Sequence, residues 1–166
     1  VNGAGTVGVR NSIIWNNEEE PMENRYKHIK TRKQNGLAEI TLARAELNIL
    51  SLEMMKELVE ALESYGEDAE LCALVLKHEG RSFSAGMDIK EYRENSEKAV
   101  EMIVTYHDIF RKLEKLSVPT ISCVKGLALG GGCELAFFAD FLLASESASF
   151  GQPEIKLGCF PPVAVT

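Results

Sequence analysis

Apolar positions change their period several times along the chain, and each change marks an element. From Tyr26 to Arg32 and from Leu37 to Leu42 the pattern reads as two strands joined through Gln34-Asn35-Gly36. Asn-Gly is the strongest short hairpin signal, because both residues tolerate the positive φ of a tight turn. Ser51 is placed to cap a helix in which Leu52, Met55, Leu58, Val59 and Leu62 recur at helical spacing, with Gly66 just past its end. Leu71 to Lys77 is a compact apolar run, read as a buried strand of a parallel sheet, so the helix before it is a crossover and the unit is right-handed. His78 to Ala85 reads as a loop. A long amphipathic helix follows from Glu97 to Leu116, with Ala99, Met102, Ile103, Tyr106, Ile109, Phe110, Leu113 and Leu116 on its apolar side and Pro119 beyond it. Thr120 to Lys125 re-enters the sheet, Glu134 to Ala139 is helix-like, and Ala148 to Phe150 is a short strand.

At 166 residues the chain has the length of one ordinary domain, and 45% hydrophobic with 26% charged residues fits a soluble globular protein. The net charge of −7 opposes a general nucleic-acid or anionic-membrane binder, since the long-range field repels both. An anionic ligand has to be met by a local basic patch. No apolar run reaches membrane-spanning length, and the N-terminus lacks the basic region and apolar core of a signal peptide, which points to the cytoplasm. Cys72, Cys123, Cys133 and Cys159 form no C-x-x-C pair and lie among apolar neighbours, as buried reduced thiols do. His28, His78 and His107 show no metal-ligand spacing, so no metal is expected.

The dense chemistry lies between Gly126 and Glu154. Gly130, Gly131 and Gly132 follow a strand-like run and precede a helix-like one, at a turn where backbone N–H groups are exposed and a ligand can approach closely. Neither the G-x-G-x-x-G spacing of a dinucleotide fold nor the G-K-[ST] of a phosphate loop is present. Two uses remain: an oxyanion-binding turn, or glycines that only let a strand and a helix pack closely. Glu134, in the first turn of an almost wholly apolar helix, is expected to be half-buried and suited to acid/base work; a satisfied helix N-terminal acid is the alternative. Glu154 follows Pro153 in a rigid turn. Upstream, Ser84-Ala85-Gly86-Met87-Asp88-Ile89-Lys90 follows the buried strand where α/β sheets bind ligands.

The string GLALGGGCELAFFAD followed by FGQPEIKLG, with SFSAGMDIKE before them, resembles the signature segments of the crotonase superfamily, the enoyl-CoA hydratases and isomerases. The resemblance covers residues 23–166 and implies an α/β spiral of stacked β-β-α units. It implies that Met87 and Gly131 supply two N–H groups to the oxyanion of an acyl-CoA thioester, with Glu154 as the acid at the α-carbon and Glu134 as the base on water. It also implies that Ala85, Asp88, Ile89 and Lys90 wrap the nucleotide end of coenzyme A, Lys90 meeting a phosphate. From the residues alone, Met87 reads as core filler and Lys90 as a solvated lysine. Coenzyme A enters as part of the substrate and no separate cofactor is implied. Presence of both glutamates favours hydration over isomerisation, since many isomerases and thioester hydrolases of the superfamily keep one.

Members of the superfamily continue well past this point, through further spiral turns and a helical segment used in trimer formation. The chain is therefore expected to be truncated at its C-terminus, with the full-length form a homotrimer or dimer of trimers. The rival to an enzyme is a non-catalytic fragment that at most binds CoA. Residues 1–22, glycine- and asparagine-rich and then acidic around Ile13-Ile14-Trp15, do not resemble the family and read as an extension; NSIIWNN has the form of one β-solenoid unit, with no second copy to stack on. After Glu154, hydratases of linear enoyl-CoAs usually read G-x-x-P-G, whereas here Gly158-Cys159-Phe160-Pro161-Pro162 puts a proline, which has no N–H, at the last position. That variant resembles the cyclohexa-1,5-diene-1-carbonyl-CoA hydratases, which places Pro162 at the acyl-binding wall and predicts a cyclic dienoyl substrate.

Overall fold

The computed structural model describes residues 25–44 and 46–158. The proposed extension, Cys159 and Pro162 lie outside them.

The predicted hairpin is present as β1 (Ile29–Gln34) and β2 (Leu37–Leu42), antiparallel with Gln34 opposite Leu37. Asn35 and Gly36 take φ values of 52° and 78°, the two left-handed residues that match a two-residue turn to the twist of its strands. β1 starts at Ile29 rather than Tyr26, because the backbone N–H groups of Lys27 and His28 are taken by the carboxylate of Glu57. That glutamate belongs to α1 (Leu52–Gly66), capped as expected by Ser51, whose hydroxyl accepts from the Met54 N–H. Gly66 is the last helical residue, not the one beyond.

β3 (Ala73–His78) runs parallel to β2. The segment expected to be a loop then contains a strand, β4 (Ser82–Ser84), followed by the short helix α2 (Ile89–Tyr92), capped by Asp88. The long amphipathic helix is α3 (Ser96–Lys115), capped by Asn95. Beyond it come β5 (Thr120–Val124), β6 (Leu127–Leu129), α4 (Gly131–Phe137), β7 (Phe141–Ala144), β8 (Ser149–Gly151) and a 3₁₀ turn, Pro153–Leu157.

The strands sort into two sheets. The larger has the order β1-β2-β3-β5-β7 and the smaller the order β4-β6-β8; apart from the hairpin every pairing is parallel. From β3 onward the chain repeats one step. A strand joins the larger sheet and the next strand joins the smaller one; helices lead back after β4 and β6, and the 3₁₀ turn follows β8. This is a spiral of stacked β-β-α units, as the sequence resemblance implies. The unit that ends in α1 has no strand in the smaller sheet; instead Leu50 makes a single parallel bridge to Met87.

α1 and α3 pack on one another and bury Met54, Met55, Leu58 and Leu62 against Met102, Tyr106, Ile109 and Leu113. Each such side chain contributes roughly 1.5–3 kcal/mol of apolar burial. Edge-to-face contacts extend the packing from Tyr106 to Phe110 and from Phe110 to Phe138, both at 4.8 Å between centroids. Tyr106 thus has a fixed ring in the layer beneath α4. Among the described residues no helix is long and apolar enough to cross a membrane, and no group of His, Cys, Asp or Glu is arranged to hold a metal.

Candidate active site

α4 starts at Gly131, three residues before the apolar run that announces it. Tertiary contact overrides the poor helix propensity of glycine here. Gly130 has φ 52° and ψ −129°, a conformation that L side chains rarely adopt, and its N–H donates to the Gly151 carbonyl of β8 at 2.9 Å. A Cβ on Gly130 would collide with Glu154 Oε1 and lie 3.2 Å from the carboxyl carbon, so the Glu154 carboxyl rests directly on this peptide. A Cβ on Gly132 would come within 2.5 Å of Ser84 Cβ, which seats the helix start on β4.

Glu134 lies in the first turn of α4 and is fully buried, where half-burial was expected. Its Oε2 lies 2.9 Å from the hydroxyl of Tyr106, which is also 2.6 Å from the Gly131 carbonyl oxygen. Burial first, and the charge and hydrogen bond of Glu134 next, push the Tyr106 phenol well above its ordinary range, so the hydroxyl keeps its proton. Sequence reasoning placed Tyr106 in the apolar stripe of α3 and missed this contact. The available signal is that a buried tyrosine needs a partner for its polar tip.

Glu154 arrives from the other side, on the 3₁₀ turn that Pro153 initiates after β8. Its Oε2 and the Oε1 of Gln152 are buried without a hydrogen-bonding partner among the described residues. Gln152 is a second residue that sequence reasoning passed over. Buried acceptors left open are costly unless a donor visits them. Cys133, the neighbour of Glu134, has its thiol pushed up by burial, which favours the protonated form. The cysteines are not uniformly buried as expected: Cys133 is buried, Cys123 partly so, and Cys72 exposed.

Met87 closes the constellation. In the bridge to Leu50, the Leu50 N–H donates to the Gly86 carbonyl and its carbonyl accepts from the Asp88 N–H, both at 2.9 Å, so the N–H of Met87 between them points away from Leu50. A Cβ on Gly131 would lie 3.3 Å from Met87 Cγ, and one on Gly86 would lie 3.6 Å from Gly131 N. The two segments are therefore in contact. Gly131 is the first residue of α4, where an N–H has no acceptor inside the helix.

On its other side Met87 lines a cavity of about 680 Å³ with Ala85, Asp88, Ile89, Lys90, Arg44 and Arg81. Neither glutamate lines it; Met87 links the two. Arg44 pairs with Asp88 and Arg81 with Glu46, leaving Lys90 exposed and without an ion pair among the described residues. The structure therefore gathers Glu134, Glu154, Gly131 and Met87 around one turn and sets Ala85, Asp88, Ile89 and Lys90 along an adjoining cavity, where Glu46 and Asp88 offset the two arginines and Lys90 is left, among the described residues, as the unpaired cation. Such an arrangement can hold negative charge on a ligand oxygen while two carboxyl groups exchange protons with it.

Two sheets wound as a β-β-α spiral define the crotonase class of α/β fold. The chain belongs to the enoyl-CoA hydratase/isomerase family, whose model matches residues 32–166. It is 38% identical over 137 residues to a Mycobacterium bovis protein named "Probable enoyl-CoA hydratase", covering 82% of this chain and 53% of that one. It is 39% identical over 132 residues to a short-chain-enoyl-CoA hydratase of Clostridium acetobutylicum, covering 78% and 51%. Among solved structures, an enoyl-CoA hydratase subunit from Geobacillus kaustophilus superposes with a TM-score of 0.73 at 38% identity, over 82% of this chain and 53% of that one. An enoyl-CoA hydratase of Mycobacterium smegmatis gives 0.76 at 31%, over 81% and 54%. The chain spans about half the length of the relatives it matches.

Proposed function

We propose that the protein adds water across the α,β double bond of an enoyl-CoA thioester. The observation that carries this reading is the approach of two carboxyl groups, on separate elements, to one glycine turn: Glu134 from within α4 and Glu154 laid over Gly130. The thioester oxygen binds between the N–H groups of Met87 and Gly131. Glu134 takes a proton from water as the oxygen bonds to the β-carbon, and the π electrons move onto the thioester as an enolate held by those two donors. Glu154 then gives its proton to the α-carbon and the thioester carbonyl re-forms. Water's two hydrogens are thus accounted for, one on the new hydroxyl and one held by Glu134, which returns a proton to Glu154 through solvent.

Lys90 and the cavity behind Met87 receive the nucleotide end of coenzyme A, with Lys90 the local cation on an acidic chain. The sequence resemblance of Phe160-Pro161-Pro162 to the cyclohexa-1,5-diene-1-carbonyl-CoA hydratases supports a flat cyclic dienoyl-CoA as the substrate. The test is a hydration assay of the full chain on crotonyl-CoA and cyclohexa-1,5-diene-1-carbonyl-CoA side by side, with Pro162→Gly alongside. Hydration of either supports the reading, and a higher kcat/KM on the ring thioester supports the cyclic substrate. Preference for crotonyl-CoA refutes the ring; no hydration of either refutes the activity.

A further inference from the structure

We propose that Tyr106 is a positioning residue for the water-activating step, holding the Glu134 carboxyl in one place in both of its charge states. The inference rests on the hydratase reading and goes beyond it, because Tyr106 lies on α3, outside the three signature segments.

The Tyr106 hydroxyl has a single proton and two acceptor neighbours, Glu134 Oε2 at 2.9 Å and the Gly131 carbonyl oxygen at 2.6 Å. The carbonyl can only accept, whereas a carboxyl accepts when ionised and donates when protonated. While Glu134 is an anion, the hydroxyl points its proton at Oε2. Once Glu134 has taken a proton from water, Oε2–H donates to the tyrosine oxygen and the tyrosine proton turns to the Gly131 carbonyl. No heavy atom has to move. A buried base that becomes an acid within one turnover needs a partner with this property, since a pure donor would face an O–H and a pure acceptor would face a carboxylate.

The phenol itself is held against giving its proton away, by burial first and by the neighbouring Glu134 next. Its hydroxyl therefore reorients without net transfer. The ring is fixed by complete burial and by its edge-to-face contact with Phe110, so the hydroxyl cannot follow a moving carboxyl. A tyrosine needed only for packing would be satisfied by the Gly131 carbonyl alone.

The test compares two reactions of the same site in the full chain. Hydration of crotonyl-CoA uses Glu134; exchange of the α-hydrogen of butyryl-CoA with D₂O uses Glu154 and the two N–H donors only. Tyr106→Phe is expected to lower kcat for hydration roughly 10-fold to 100-fold, with KM and the exchange rate unchanged within about twofold. In a Glu134→Gln background it should cause no further loss. Wild-type hydration in Tyr106→Phe overturns the inference, and so does an equal loss of hydration and exchange, which would mean that the hydroxyl only props the Gly131 peptide. A parent protein that hydrates no enoyl-CoA overturns the hydratase reading and this inference with it. Should Tyr106→Phe fail to fold, 3-fluorotyrosine at position 106 keeps the ring and the hydroxyl but changes the acidity of its proton. Hydration altered at least about twofold with exchange unaltered supports the role, and neither altered refutes it.

Discussion

Gly130→Ala isolates the contact on which the site depends. The substitution adds one methyl group where the backbone holds φ 52° and ψ −129°, a conformation that costs a non-glycine residue about 1–3 kcal/mol. The new Cβ also occupies the place of Glu154 Oε1, with the carboxyl carbon only 3.2 Å away, so the carboxyl has to retreat by about 1 Å to reach ordinary contact. A displacement of that size at a reacting group can cost about 10²-fold in rate. The expected outcome is a kcat for enoyl-CoA hydration lowered about 100-fold, with an unfolding free energy lower by the 1–3 kcal/mol of backbone strain. In a Glu154→Gln background the same substitution should change kcat little, because the displaced group no longer matters. Gly132→Ala, whose Cβ would strike Ser84 instead, serves as the comparison: it should cost stability without the additivity failure at Glu154. Stopped-flow hydration and denaturant unfolding on the parent, the three single variants and the two glycine variants combined with Glu154→Gln read both quantities. A Gly130→Ala protein with wild-type kcat, or one whose loss adds in full to that of Glu154→Gln, refutes the reasoning.

Lys90→Ala should raise KM for an acyl-CoA about fivefold at low salt with kcat unchanged, and the difference should fade as salt is added; an unchanged KM at both salt levels removes Lys90 from the site. His78 is pushed below its ordinary range, chiefly by burial with the Lys125 charge adding, and it accepts from the Lys125 N–H through Nε2 while Nδ1 faces the Glu79 carbonyl. A histidine depressed in the folded state gives stability that is complete above its unfolded value of about 6.5 and lost as pH falls below it, by up to about 1.4 kcal/mol per pH unit until the folded value is reached. Unfolding midpoints at about pH 7.5 and about pH 5.5 should therefore diverge more for the parent than for His78→Gln, and equal divergence contradicts the assignment.

The hairpin, the α1 cap and the long helix are legible in the sequence because their signals are local: Asn35-Gly36, the Ser51 hydroxyl and the apolar stripe of α3 each act within a few residues. Of the smaller sheet only β8 is legible, as the short strand expected at Ala148–Phe150 and found one residue later. β4 and β6 have three residues each, too few to show a period of two, and they exist because parallel neighbours at other levels of the spiral complete their hydrogen bonds. β7 was missed for a related reason, since Phe141 and Leu143 are exposed and Phe141–Ala144 reads as an apolar continuation of α4. The start of α4 at Gly131 is hidden by its glycines. The candidate carboxyls were found because a charged residue beside a glycine turn in apolar sequence stands out. Tyr106 and Gln152 were not, because helical and strand periods report which face a residue occupies and not which polar tip meets another.

In this mechanism Glu134 and Glu154 divide the acid and base work at one glycine turn. Hydration of crotonyl-CoA and α-hydrogen exchange of butyryl-CoA, measured in Glu134→Gln and in Glu154→Gln, separate the two roles. Both variants should lose at least about 100-fold in hydration, while exchange should survive in Glu134→Gln and be lost in Glu154→Gln. Wild-type hydration in either variant, or exchange lost with Glu134 and kept with Glu154, would contradict it.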